Sequence, residues 1–458
     1  MKKHLLLLTI PLTIYAWSSA GAEAPHFPIS LDQTLHASLD SSDQWKSARA
    51  IADAAQDQTL AQRGALLPHL AIDGTYRYVA EIPAIQVAPG APPFEFTTHN
   101  QYSIGPDLTW TAFSGGTLTQ AWRAAQANAR AQEQEADVVR RQIRLAARLT
   151  YFQAQLAAEH VRLYAESYRV EQSQYHDISV RYRAGESSRV DLLSAEQDLL
   201  TRHDLLLQAR ADLASAIRDL TTLTRLGENL DPSWPLDKDT TLEPTAEMPA
   251  PTIILVVDHP RDSLIQMEQA GKSVFDSRQP QLEYLAALAE AARRTSKSLE
   301  GGHWPTLGVL ARLAQEYPNG PIKESVTQKT FGINLSFPLF EGGSTLYAAR
   351  AQKRQAESIE ERRAQSARDL LDSWQKARDQ VASLRIQLII THRSVERASQ
   401  VARLQYQAYL DGHIRYVDLE EANLREIQAK VQAATTDVSL LIQLANLESL
   451  SEETRKTQ

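Results

Sequence analysis

The chain has 458 residues, of which 43% are hydrophobic and only 7% aromatic, and it carries a formal net charge of −8. Alanine, leucine, glutamine, arginine and glutamate dominate the middle of each half, a composition that favours long helices over a compact α/β enzyme. The acidic balance argues against nucleic acid as a partner. The absence of cysteine excludes disulfide staples, thiolate metal sites and a cysteine-linked lipid anchor at the N-terminus.

Lys2 and Lys3 precede an apolar stretch from Leu5 to Trp17, followed by Ala20-Gly21-Ala22. This reads as a secretory signal peptide over residues 1–22, cleaved before Glu23. Cleavage removes two lysines and no acids, taking the charge of −8 to −10. No later apolar run reaches the roughly 18 residues of a transmembrane helix, so any entry into a membrane must be made by strands.

Leu31 to Leu67 is helical in pattern. Strand alternation follows, with Leu70, Ile72, Tyr76 and Tyr78 on one face and Ala71, Asp73, Thr75 and Arg77 on the other. A period of two with one apolar and one small or polar face suits a membrane barrel strand, and equally a sandwich strand. A loop over Ala88 to Pro93 and the pair Gly115-Gly116 precede a run from Thr117 to Ala184 that holds no glycine or proline. As a helix its 68 residues extend about 100 Å.

Gly185 ends the run, and an apolar pattern resumes at once. Leucines at 192, 199, 206, 213 and 220 keep a strict seven-residue spacing, with Ala195, Ala209 and Ala216 between them. Leu145, Leu149, Phe152, Leu156 and Leu163 follow similar steps in the long run, which predicts left-handed supercoiled seams. The return helix ends near Gly227, too short to match its partner, and the Leu31–Leu67 segment supplies the missing length.

Residues 228–280 are rich in proline, aspartate and threonine, with one short β-like run from Ile253 to Val257, and read as a linking belt beside the helices. The pattern then returns. At a fixed offset of 227, Phe113 meets Phe340, Gly115-Gly116 meets Gly342-Gly343, Tyr182 meets Tyr409, Gly185 meets Gly412, and Val190-Asp191-Leu192 meets Val417-Asp418-Leu419. Leu67-Pro68-His69-Leu70 matches Trp304-Pro305-Thr306-Leu307 at an offset of 237. Ser344 to Asp411 is a second run free of glycine and proline, and Phe331, Ile333, Leu335 and Phe337 line one face of a strand. Gln281 to Gly301 and Asp418 to Leu450 repeat the shorter helices. Tandem duplication is the simplest reading, with a first repeat over 23–227, a second over 281–450 and a polar tail over 451–458. Each half offers two long strands, and four strands cannot close a barrel.

Taken in order, signal peptide, strand, loop, strand, glycine pair, long helix, and a Tyr-x-x-Gly turn followed by Val-Asp-Leu, doubled at constant register, resemble the outer-membrane efflux proteins of TolC type. The resemblance covers nearly the whole mature chain. It implies an α+β membrane protein: a homotrimer whose twelve pooled strands, four per chain, close one barrel in outer-membrane lipid. The helices continue that barrel as a coiled-coil tunnel across the periplasm. It also implies passive export, with energy supplied by an inner-membrane transporter joined through a periplasmic adaptor protein.

The same resemblance assigns roles. Ala184-Gly185-Glu186-Ser187 and Asp411-Gly412-His413-Ile414 correspond to the adaptor-facing tips. Asp418 and Glu421 share one helix face and, in a trimer, would ring the axis with carboxylates that favour cations. Without the resemblance they are an ordinary solvated acidic face. Tyr409 corresponds to a tyrosine that bonds an aspartate matching Asp191 in the closed periplasmic gate. The gating arginine of the family falls on Ile414, with Arg415 and Arg189 as possible substitutes.

No Gly-x-Ser-x-Gly elbow, phosphate-cradling loop or His-Glu-x-x-His helix is present, and the twelve histidines, His160, His176 and His203 among them, lack ligand spacing. The sequence thus nominates no catalytic residue, cofactor or metal. Aromatic residues Tyr76, Tyr78, Trp110, Phe113, Phe337 and Phe340 fit interfacial girdles or a core. From the other class of function, a soluble exported coiled-coil scaffold with a small β domain is the alternative.

Overall fold

In the computed structural model, the described residues are 26–85, 89–90, 94–95, 97–226, 254–257, 260–267 and 274–451. The signal peptide, most of the 88–93 loop, most of the 228–280 segment and the tail beyond Ser451 lie outside them.

The chain begins with strand β1 (His26–Ile29), helices α1 (Leu31–Ser41) and α2 (Asp43–Gly64), strand β2 (His69–Tyr78), a minor hairpin of β3 (Ala84–Ile85) and β4 (Phe94–Glu95), and strand β5 (Asn100–Phe113). Helices α3 (Thr117–Ala184) and α4 (Arg189–Thr224) form the first long hairpin. After strand β6 (Ile254–Val257) and helix α5 (Pro260–Met267), the pattern repeats as helix α6 (Pro280–Glu300), strands β7 (Thr306–Tyr317) and β8 (Val326–Ser336), and helices α7 (Ser344–Leu410) and α8 (Tyr416–Ser449).

The long first run is helical over the whole span the sequence marks. The mostly helical segment from Leu31 to Leu67 is two helices, because Ser42 is extended and its hydroxyl accepts from the Trp45 backbone N–H, starting α2 afresh. Two short elements escaped the sequence reading. Strand β1 pairs in parallel with β6, joining His26–Ile29 to Ile254–Val257, and the β3–β4 hairpin is only two residues long on each side.

The described residues fall into two units built from non-contiguous segments. One holds Thr150–Pro260, Thr391–Thr435 and the residues up to Thr34; the other holds Leu35–Leu149, Arg261–Ile390 and the residues from Thr436.

The second unit contains a four-stranded antiparallel sheet in the order β2-β5-β7-β8. Its apolar face is uncovered: Ile72 is 77% exposed, Phe331 71%, Leu335 68% and Ile333 63%. A soluble sandwich would bury this face, since apolar burial is the main favourable term in folding. Register places Tyr76 opposite Tyr102 and Tyr102 opposite Tyr317, a tyrosine row across three strands, with the Tyr102 and Tyr317 rings stacked 5.2 Å apart. Trp110 and Phe113, both exposed, stand at the other end of β5. Eleven residues separate Tyr102 from Phe113, about 36 Å along the strand. The glycine pair after β5 turns tightly into α3, with positive φ at both Gly115 and Gly116. A Cβ on Gly115 would stand 2.4 Å from the Gly301 carbonyl oxygen and from the Trp304 Cβ, so no larger residue fits. Helices α6 and α7 pack through small residues, Ala289 and Ala292 against Ala356 and Ile359.

In the first unit the leucine seam is real but interrupted. Leu199, Leu206, Ala195, Ala209 and Leu220 are buried, and Arg202 is buried among them at 4% exposure. Tyr168, Leu199 and Leu206 form one cluster, Leu163, Ile427 and Ala434 another, and Ile178, Ala195, Tyr416 and Leu419 a third nearest the turns.

Candidate functional site

Both long helices end in the same way. Gly185 has φ of 81° and Gly412 of 73°, the left-handed conformation that costs a Cβ-bearing residue about 1–2 kcal/mol. The Glu186 N–H donates to the Arg181 carbonyl at 2.9 Å, and the His413 N–H to the Ala408 carbonyl at 2.8 Å. These are matching six-to-one bonds that satisfy carbonyls orphaned at a helix C-terminus. The turn residues Ala184, Glu186, Asp411 and His413 are exposed, whereas Ser187 and Ile414 are half-buried, and Ile414 packs on the Ile178–Tyr416 cluster. The position of the expected arginine is therefore an apolar contact.

The acids beyond the turns cap helices. The Asp191 carboxylate accepts from the Ser188 N–H at 3.3 Å while the Ser188 hydroxyl accepts from the Asp191 N–H at 3.0 Å, a reciprocal capping box that starts α4. Asp418 does half of the same job, accepting from the Arg415 N–H at 3.3 Å. Its second partner is the Arg415 guanidinium at 3.3 Å, and these contacts hold its carboxyl below the usual carboxylate range. Glu421 pairs with Arg425 one turn on, both largely exposed. Arg189 is exposed at the start of α4.

Tyr409 and Asp191 come together at one remove. The Tyr409 phenol bonds Ser187, and the Ser187 hydroxyl lies 3.4 Å from an Asp191 carboxylate oxygen. Burial, with Asp191 nearby, raises the Tyr409 phenol above its ordinary pKa.

A stripe of polar residues along α3 ties the first hairpin to the second, and the sequence reading missed it. Arg181 donates to the Leu410 carbonyl at 2.9 Å and lies 5.9 Å from the Tyr409 ring centroid, so it serves the C-terminus of the neighbouring helix. The Tyr406 hydroxyl donates to Asp177 at 2.7 Å; burial and that carboxylate push its phenol up to about 12. Asn423 donates to Gln174 at 2.9 Å and Lys430 to Glu166 at 2.9 Å. The residues Glu166, Glu171, Gln174, Asp177 and Arg181 recur at three to five positions, the spacing of one helix face.

At the centre of that stripe is a buried node. Tyr416, 1% exposed, places its hydroxyl 3.0 Å from both Glu171 of α3 and Asp198 of α4. Arg202 approaches Glu171 at 4.0 Å, and its buried Nε makes no hydrogen bond. Burial raises Glu171 to about 7, against the lowering effect of Tyr416 and Arg202. Burial and Asp198 likewise raise Glu420. A cue was present in the sequence, since the α3 positions and Arg202 interrupt otherwise apolar seams, but which acid meets which tyrosine depends on the packing of three helices.

Among the described residues no helix is long and apolar enough to cross a membrane. No curated protein matches the sequence. The chain is similar in structure to the Campylobacter jejuni CmeC outer membrane channel, with 15% identity, a TM-score of 0.71 and coverage of 98% of this chain and 95% of that one. It is similar to the outer membrane protein VceC from Vibrio cholerae at 16% identity and a TM-score of 0.70, covering 92% and 95%. It also resembles CusC, studied for folding and transmembrane channel formation, at 14% identity and a TM-score of 0.73, covering 95% and 96%. At these identities the likeness is one of fold. The description of a protein family, "Outer membrane efflux protein", matches residues 34–224 and 274–451, one stretch for each repeat. With both copies of the strand and hairpin pattern inside those matches, the chain belongs to the outer membrane efflux protein family.

Proposed function

We propose that the protein is the outer-membrane duct of a tripartite assembly, a homotrimer that conducts substrates passively from an inner-membrane pump and a periplasmic adaptor. The observation that carries this reading is the sheet: its apolar face is exposed, and aromatic residues bracket it. At a strand tilt of about 40°, the Tyr102–Phe113 span covers about 28 Å of height, close to the roughly 25 Å apolar band of an outer-membrane barrel. Among the described residues strands β2 and β8 end the sheet with one neighbour each, and three copies joined edge to edge would supply twelve strands.

In this reading the repeats are 23–227 and 281–450, and 228–280 links them. Residues 184–187 and 411–414 face the adaptor. Asp418 and Glu421 give the tunnel mouth its cation preference, and Tyr409, through Ser187, holds Asp191 as one latch of the closed gate.

The test is conductance of the detergent-purified mature protein in a planar lipid bilayer. Small cation-selective steps are expected, with selectivity weakened in the Asp418→Ala, Glu421→Ala double variant and the closed state loosened in Asp191→Ala or Tyr409→Phe. A soluble monomer in periplasmic extract, together with a silent bilayer, overturns the reading.

A further inference from the structure

The Tyr416 node does not belong to the tip turns or to the Asp418–Glu421 ring. It gathers three carboxylates, Glu171, Asp198 and Glu420, around one phenol and one guanidinium in the seam where α8 meets α3 and α4. Glu171 is 2% exposed. One phenolic proton cannot serve two ionised carboxylates, and Arg202 offers one positive charge to three acids. With Glu171 buried and Asp198 and Glu420 half-buried, a fully ionised node would hold uncompensated negative charge against the buried Glu171 carboxylate, which is costly away from water. Protonating one carboxylate removes one of those charges and adds an O–H donor for its neighbours.

We propose that this node is a proton-operated clasp: it holds the second hairpin's return helix against the first hairpin while one of its carboxylates is protonated, and releases it as the pH rises. The proposal rests on the channel reading, because it concerns how readily the tip opens. The groups acting on Glu171 are Tyr416 and Glu420 from α8 and Asp198 and Arg202 from α4. From α7 the Tyr409 ring packs edge-on against Tyr416 at 5.9 Å.

The sign follows from linkage. A carboxyl that is held near 7 when packed and near its ordinary 4.5 when solvated keeps its proton in the packed state between those limits. Packing is therefore strongest below about pH 5, weakens as the pH rises to about 7, and is level beyond that. Within the window the ratio of opened to packed tips rises up to about tenfold per pH unit. Asp418 does not account for this window, because Arg415 holds its carboxyl below the carboxylate range.

The absence of native cysteine allows spin labels on exposed sites of α3 and α8, through Ser173→Cys and Gln428→Cys, in the otherwise full-length protein in detergent. Between pH 5.5 and 8 a longer inter-label distance should grow in at the expense of the shorter one. Glu171→Gln, which keeps the side chain uncharged, should hold the short distance throughout. Tyr416→Phe removes a donor to the carboxylates and should move the midpoint to higher pH, which guards against a folding failure of the first variant. Asp418→Asn with Glu421→Gln should leave the profile unchanged.

A distance that ignores pH, or a Glu171→Gln profile like that of the parent, overturns the clasp. Bilayer conductance on the same samples separates the two readings. Conducting channels with pH-independent distances reject the clasp alone, and pH-dependent distances in a protein that never conducts reject the channel alone.

Discussion

The two hairpin tips are copies of one design, and they differ where their return helices begin. Both outgoing helices end at a left-handed glycine with the same pattern of backbone bonds. At the start of α4, Ser188 and Asp191 close a reciprocal capping box, so the first tip is complete in itself. At the start of α8 the hydroxyl is gone and Arg415 stands in its place. There Asp418 keeps only the acceptor half of the box and adds an exposed ion pair, which solvent screens. The next residue differs too. Arg189 in the first repeat is exposed, and its counterpart Tyr416 is buried against the first hairpin. The second tip thus borrows from the first hairpin the anchorage it does not supply itself. A part secured mainly by its neighbour is the part free to move when that contact is released.

This comparison can be broken most directly at Tyr416. Tyr416→Ala empties a fully buried aromatic site, and a loss of about 3–5 kcal/mol is expected, read as a lower denaturation midpoint. A loss under about 1 kcal/mol would show that the second tip does not depend on the clasp. The glycine turns are the shared feature. Gly185→Ala and Gly412→Ala should each cost about 1–2 kcal/mol from left-handed strain, and unequal costs in the same assay would mean the turns are not equivalent. The capping difference is smaller: Ser188→Ala should cost about 1 kcal/mol, whereas Arg415→Ala removes only a surface ion pair and should cost less. Smallest of all, Arg189→Ala should stay within about 0.5 kcal/mol, setting the contrast with its counterpart Tyr416.

Much of this architecture is legible in the sequence because it is written in local terms. Runs without glycine or proline, seven-residue leucine spacing and the constant 227-residue offset fix helices, seams and duplication by rules that act over a few turns. The strands were readable for the same reason, their faces alternating residue by residue. Strand β1 was not, since His26–Ile29 is a strand only by virtue of β6, more than two hundred residues away.

The proposed gate shows the same division. The family resemblance points to Asp191, Asp418 and Tyr409, but their partners are set by packing. Asp191 faces Ser188 rather than Tyr409 directly, and the bonds that join the hairpins come from Arg181, Tyr406 and Tyr416. Arg202 is the sharpest instance. The leucine repeat encloses it as though it were one more seam residue, and only the acids of two other helices explain a guanidinium there.

If copies join edge to edge as proposed, the sheet's free edges bear on the biogenesis of the protein. Among the described residues strands β2 and β8 each lack a neighbour on one side, so a solitary chain entering the bilayer would carry two rows of unsatisfied backbone amides and carbonyls into hydrocarbon, each costing several kcal/mol. In the proposed homotrimer, insertion is then not a step a single chain can complete and coincides with the meeting of copies. The yield of mature channel should rise more steeply than in proportion to the amount of chain exported, and chains that fail to meet should stay in the periplasm as substrates for chaperones and proteases.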